Sequence, residues 1–213
     1  MPYPSDHAQR TRARIVRSAM VLFNRHGLEA VSIDSVMAQA GLTRGGFYRH
    51  FETKSDLYAE AIALSVAETP WSRWDGISVD FAARDAAAQV VRAYLSAQHF
   101  GDVDGSCPTV ALPSDVARSD PRVKLAFERV FRAMVDLFER SLRRDAKTNR
   151  KRALAIAGIC VGGMVVARAV EHSDLADALR TATLGIALEL GGWSKKGKAA
   201  VRRKPATTIK RAK

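Results

Sequence analysis

Cysteine, long apolar stretches, β-branched runs and acidic residues near the C-terminus are what these 213 residues have little of. Two cysteines, Cys107 and Cys160, give neither a zinc-ligand spacing nor a disulfide framework, and they fit a reducing compartment. The longest uncharged stretch, residues 153–167, holds 15 residues between Arg152 and Arg168, below the roughly 20 that span a bilayer. The N-terminal MPYPSDHAQR lacks the apolar core of a signal peptide. These absences predict a cytoplasmic protein with no membrane partner.

Catalytic signatures are missing as well. No G-x-S-x-G, H-E-x-x-H, P-loop or G-x-G-x-x-G pattern occurs. The five histidines, His7, His26, His50, His99 and His172, stand without a matching carboxylate or cysteine pattern. An enzyme is not expected, nor a metal site or a cofactor. Asp102 and Asp104 in GDVDG resemble the start of a calcium loop, but no later ligands complete it, which leaves a solvated turn. Because β-branched runs are scarce and Ala, Leu, Arg and Glu dominate the periodic segments, the chain reads as all-α.

What is present begins with charge. The net charge of +12 points to a polyanionic partner. Residues 195–213 carry nine Lys or Arg and no acid, so only three net charges remain for the rest. The body is mildly basic, and 194–213 reads as a disordered basic tail. A non-specific, nucleoid-type protein using that tail for counterion release is the alternative that composition supports.

Residues 32–54, SIDSVMAQAGLTRGGFYRHFETK, are the most informative segment. Ile33, Val36, Met37 and Ala40 fall on one face of a helix. Ser32 is placed to cap it, and Asp34 puts a carboxylate in its positive first turn. Gly41 can take the left-handed conformation that ends it, with Leu42 as an apolar anchor. Thr43 is placed to cap a second helix near Gly46. Phe47 and Phe51 dock that helix inward, so Arg44, Tyr48 and Arg49 point outward. Gly45 and Gly46 suggest close approach of backbone to DNA, or a loosely formed first turn. A capped pair of short helices with arginines and a tyrosine outward suits a DNA major groove.

From about Arg10 to Ile62 the chain resembles the DNA-binding domain of the tetracycline-repressor (TetR) family of bacterial transcriptional regulators. The resemblance rests on Leu22-Phe23-Asn24-Arg25-His26-Gly27, Ser32-Ile33, Ala38-Gln39-Ala40-Gly41-Leu42-Thr43-Arg44-Gly45-Gly46-Phe47-Tyr48-Arg49-His50-Phe51 and Lys54-Ser55-Asp56-Leu57. Many members carry a side chain where Gly46 stands, so one possible base contact is gone. The resemblance implies that Lys54 touches backbone phosphate. With the residues above, it gives a DNA-contact set of Ser32, Thr43, Arg44, Gly45, Gly46, Tyr48, Arg49, His50 and Lys54. It also implies a double-stranded, pseudo-palindromic operator and a repressor released by a small molecule.

The rest of the chain reads as helix after helix. A disordered arm is expected over residues 1–7, a first helix stops near Gly27, and a fourth begins after Thr53 and stops before Pro70. Further helices are expected over 81–100, at 114–119, from Pro121 to about 144, and over 149–171 and 174–191. The domain reading is 8–54 for a three-helix helix-turn-helix unit, 55–193 for a larger helical ligand-binding and dimerisation domain, and 194–213 for the tail. Leu175, Leu179, Ala182, Ile186 and Leu190 make one apolar stripe, and the 149–171 helix is apolar on more than one face. An internal hairpin and a subunit interface explain this equally, and the resemblance decides for a homodimer through 149–191. Trp71, Trp74, Phe81, Phe100, Cys107, Met134, Phe138 and Met164 are the expected lining of a cavity for an uncharged or weakly charged hydrophobic inducer. The helix at 54–68 is the expected mechanical link from that cavity to the DNA-reading unit. Cys107, in a loop, is a candidate reactive thiol; Cys160 is expected in the core.

Overall fold

The computed structural model describes residues 4–67, 70–143 and 145–194, and the regular elements among them are all helical. All of the proposed tail except Ser194 lies outside the described residues, as do positions 1–3 of the expected arm. Helix α1, Pro4–Ala30, starts earlier than expected, so residues 4–7 are helical. It is interrupted at Gly27, which has φ 75°. A Cβ there would lie 2.6 Å from Asp115 Oδ2, the atom that accepts the Leu28 N–H at 3.0 Å. The break therefore needs glycine for both its backbone angle and its close neighbour.

Helix α2, Ile33–Gln39, begins with a reciprocal capping box: Ser32 Oγ accepts the Ser35 N–H, and Ser35 Oγ accepts the Ser32 N–H. Gly41, at φ 63°, reverses the chain as expected. The second reading element is a six-residue 3₁₀ turn, Arg44–Arg49, in place of the expected α-helix. Thr43 gives it no side-chain cap; its carbonyl accepts the Gly46 N–H at 3.0 Å. Two adjacent glycines and a missing cap leave too little local stability for a full α-helical turn.

Helix α3, Lys54–Ala67, leads to a 3₁₀ turn at Pro70–Arg73. The single helix expected over 81–100 is divided into α4, Ala86–Tyr94, and α5, Ala97–Gly101. Ser96 causes the division, since its Oγ accepts the His99 N–H at 3.1 Å and starts a new helix. Short helices α6, Pro108–Ala111, and α7, Pro113–Arg118, follow. Asp120 then caps the long helix α8, Pro121–Ser141, and Asp145 caps α9, Ala146–Ala169. Helix α10, Ser173–Gly191, ends at left-handed Gly192.

Two cores form, and α8 serves both. The first joins α1, α2, the reading turn, α3 and α7 around Phe23, Phe47, Leu57 and Tyr58, with Val123, Ala126 and Val130 of α8. The second joins α4, α9 and α10 around Tyr94, Ile156 and Met164, with Val135 and Phe138 of α8 and Leu142 just beyond it. Helix α9 is 24 residues long and apolar enough to cross a membrane by composition, a length the 15-residue uncharged stretch understates. One of its faces, with Ala153, Ile156, Ala157, Cys160, Met164 and Ala167, is fully buried against the neighbouring helices, while Leu154 and Val166 are exposed.

Candidate nucleic-acid interface and ligand cavity

Phe47 and Phe51 are buried and stack with their centroids 5.6 Å apart, which turns their neighbours outward. Tyr48 is 61% exposed, and Thr43, Arg44 and Arg49 are exposed with it. Arg44 Nη1 lies 2.6 Å from Asp34 Oδ2. Arg12, which no sequence pattern singles out, fixes the turn from behind. Its guanidinium donates to the His50 carbonyl and to Glu60, and sits 4.1 Å from the centre of the Phe51 ring. Burial, with the nearby charges of Arg12 and Arg49, lowers the His50 pKa and favours its neutral form. Lys54 donates its ammonium to the Leu28 carbonyl. Ser32 is occupied with its cap. A Cβ at Gly45 would meet nothing within 4 Å, so this position is open to an approaching backbone. A Cβ at Gly46 would meet Met37 Cε at 3.4 Å, so a side chain there would start toward the protein and not toward a base.

A cavity of about 300 Å³ lies between the 71–81 segment, α4, the 99–107 segment and α8. Trp71, Trp74, Phe81, Cys107 and Met134 line it, as the sequence suggested. Three expected residues do not. Phe138 and Met164 are fully buried in the second core, and Phe100 lies under the Arg180 guanidinium at 5.0 Å. Helix α9 contributes nothing to the wall. Phe138 shares a helical face with Met134 but lies one turn further on, where Trp193 covers it with ring centres 5.9 Å apart.

The inner wall is polar in a way that helical spacing did not reveal. Tyr94 hydroxyl lies 2.8 Å from Thr109 Oγ1, which is itself 2.9 Å from Cys107 Sγ. His99 Nδ1 is 2.6 Å from the Tyr94 carbonyl, which can only accept, so Nδ1 carries the proton. The other ring nitrogen is left to accept the Cys107 N–H at 3.4 Å. Burial pushes the His99 pKa down to about 4, so the ring is neutral near pH 7. Burial also raises the Cys107 thiol pKa, which argues against an activated thiolate. Tyr94 and His99 escaped the sequence reading; the only local signal was Ser96, a helix-starting residue three positions before His99.

The GDVDG segment is more than a solvated turn. Trp74 donates its indole N–H to Asp102 Oδ2 at 2.8 Å, and Asp102 Oδ1 accepts the Gly105 N–H at 2.8 Å. Arg168 donates to Ser106 Oγ at 2.6 Å and to the carbonyls of His99 and Asp102. On its other side, Asn24 of α1 donates to the carbonyls of Asp104 and Ser106 at 2.9 and 3.0 Å, and Arg25 pairs with Asp104. Residues 102–106 thus join the cavity wall to α1, a second connection beside α3. Among the described residues no group of three or more His, Cys, Asp or Glu is placed to hold a metal ion.

Residues 15–61 match the sequence profile of bacterial regulatory proteins of the tetR family. The HTH-type transcriptional regulator AcrR of Shigella flexneri is 43% identical over 60 residues, covering 28% of each chain. This match takes in under a third of that relative's length. A TetR-family transcriptional regulator from Agrobacterium tumefaciens superposes with a TM-score of 0.64 at 18% identity, over 84% of this chain and 98% of that one. A complex of SmeT with triclosan superposes with a TM-score of 0.56 at 20% identity, over 94% and 99%. At such identities the likeness establishes the fold, while the sequence kinship resides in the DNA-binding unit.

Proposed function

We propose that this chain, whose residues 15–61 match the tetR family of bacterial regulatory proteins, is a homodimeric repressor that a small hydrophobic molecule releases from DNA. The reading turn would enter the major groove, with Arg44 reading a base and Tyr48, Arg49 and Lys54 on phosphates. Thr43, Gly45 and His50 would lie along the same surface, where the backbone is open. The cytoplasm is the compartment in which it would meet its operator.

The observation that carries this reading is the loop at 102–106, which shares hydrogen bonds with Trp74 in the cavity wall and with Asn24 of α1. A ligand that shifts Trp74 pulls on the same loop that holds the DNA-reading unit. Release follows if the ligand binds the DNA-bound and free arrangements with different affinity. SmeT, one of the similar folds, is a triclosan complex, which supports a hydrophobic ligand for this cavity as well.

The dimer would form through the outer faces of α9 and α10. Leu154, Val166, Leu175 and Ile186 are between 44% and 54% exposed there. Gly158, Gly162 and Gly185 each leave open space around a Cβ position, so a second helix could approach closely. Of the apolar stripe, Leu175, Leu179, Ala182 and Ile186 face this side, whereas Leu190 packs against the second core and Ala176, Thr183 and Ala187 face inward.

Footprinting on selected DNA fragments, with and without a hydrophobic compound, tests the proposal. The expected result is one protected pseudo-palindrome with half-sites about 34 Å apart, lost when the compound is added. Uniform protection of all DNA would favour non-specific coating by the nine cations of 195–213 instead.

A further inference from the structure

We infer that the ligand of this cavity is a hydrophobic monoanion, an aromatic body with a terminal carboxylate held by Arg140; this rests on the cavity being the inducer site. The polar groups of the wall can be accounted for one by one. Ser65 Oγ donates to the Ile62 carbonyl at 2.8 Å, and the Trp74 indole N–H is taken by Asp102. Tyr94 and Cys107 both meet Thr109, and both ring nitrogens of His99 are occupied. Among the described residues, two polar lining groups have no hydrogen-bond partner: the Trp71 indole N–H and the Arg140 guanidinium. Both can only donate. A ligand that pairs with them has to bring acceptors, and beside a guanidinium the best acceptor is a carboxylate.

Arg140 is available because the acids near it on α8 are engaged elsewhere. Asp136 and Glu139 both pair with Arg150, at 2.8 and 2.9 Å, and Glu128 pairs with Arg132. No Asp or Glu lines the cavity; Asp102 stands behind Trp74, its carboxylate taken up by the Trp74 indole and the Gly105 N–H. The remaining surface is apolar and partly flat, with Trp71 and Phe81 rings 5.7 Å apart on one side and Val130, Met134 and Leu137 on the other. A volume of about 300 Å³ is at the small end of ligand pockets and suits one or two fused rings. The expectation of an uncharged or weakly charged ligand is thereby narrowed to one charge at one end.

The test compares 2-naphthoate with its neutral isostere 2-naphthamide, titrated calorimetrically into the full-length chain at low salt. Naphthoate is expected to bind about five- to tenfold more tightly, the range for a partly solvated ion pair with hydrogen bonding. Arg140→Gln should bring naphthoate down to the affinity of the amide and leave the amide unchanged. Trp71→Phe, which keeps a ring and removes the N–H, should weaken naphthoate by about twofold or more while retaining amide binding. Raising the salt should shrink the preference in the parent chain only. Equal affinity for the two ligands, or a preference that survives Arg140→Gln, overturns the monoanion assignment and leaves the cavity as a ligand site. Binding of neither compound overturns both.

Discussion

Arg44 Nη1 lies 2.6 Å from Asp34 Oδ2, so the guanidinium proposed to read a base is held by a carboxylate of the preceding helix. The two side chains are 62% and 56% exposed, and a pair so open to water contributes little, about 0–1 kcal/mol. On the proposed docking, DNA would displace Asp34 at small cost, and Asp34 would keep the arginine from lying freely against any phosphate.

Asp34→Asn should raise affinity for random DNA severalfold and steepen its salt dependence, while Arg44→Ala should relax base preference by about 1–3 kcal/mol at one position. Tyr48→Ala should weaken all sequences alike. Gel-shift titrations at several salt concentrations check this. Unchanged operator affinity in Arg44→Ala and Tyr48→Ala would refute the docking.

Tyr58 is fully buried, yet its hydroxyl has no hydrogen-bond partner among the described residues. Removing that hydroxyl while keeping the ring, which packs edge-on against Phe23 at 4.8 Å, should stabilise the chain by about 1 kcal/mol. Tyr58→Phe is expected to raise Tm by about 2–4 °C. A lower Tm would show that the hydroxyl has a partner.

His99 makes stability depend on pH. Unfolded, its imidazole takes a proton near pH 6.5; buried, it does so only near pH 4. Between these values the unfolded chain binds more protons, so this contribution is complete above about pH 6.5 and is lost as the pH falls toward 4. The loss is roughly 3 kcal/mol over that interval. Guanidinium unfolding at pH 7 and pH 4.5 should show a smaller difference for His99→Gln than for the parent chain.

Met134→Trp should fill the cavity. Ligand-induced rises in Tm are expected to shrink at least tenfold in potency, with operator affinity within twofold of the parent. Loss of DNA binding as well would mean that Met134 supports the fold and not the ligand.

Ile186→Glu should leave a folded monomer, because Ile186 is 49% exposed and contributes little to the core. Light scattering should give half the mass of the parent with unchanged helical content. Operator affinity should fall steeply as the two reading heads separate. A parent chain that is itself monomeric at micromolar concentration would refute the interface.

Local chemistry was the legible part of this chain. Ser32 and Gly41 each specify their backbone within a few residues, and both stand where their side-chain and backbone preferences put them. Thr43 shows the limit of that logic, since two glycines beyond it turn an expected α-helix into a 3₁₀ turn. The division of 81–100 was hidden because Val90 and Tyr94 continue an apolar spacing that Ser96 interrupts with one side-chain hydrogen bond. The cavity was half legible. Trp71 and Met134 look no different in sequence from Phe138 and Met164, and only packing between distant segments decides which of them faces empty space.

Helix α8 gives Val123, Ala126 and Val130 to one core and Val135 and Phe138 to the other. The consequence concerns modularity. A chimaera that exchanged only residues 1–54 for another head would set a foreign surface against α3, the helix that packs between α1 and α8. Grafted heads should therefore express poorly unless α3 travels with them, and because α3 packs on α8, both halves of the chain should melt in a single transition. On the proposed function, changes at the DNA-reading turn and changes at the cavity would then not be free of one another, since both units pack on a shared rod.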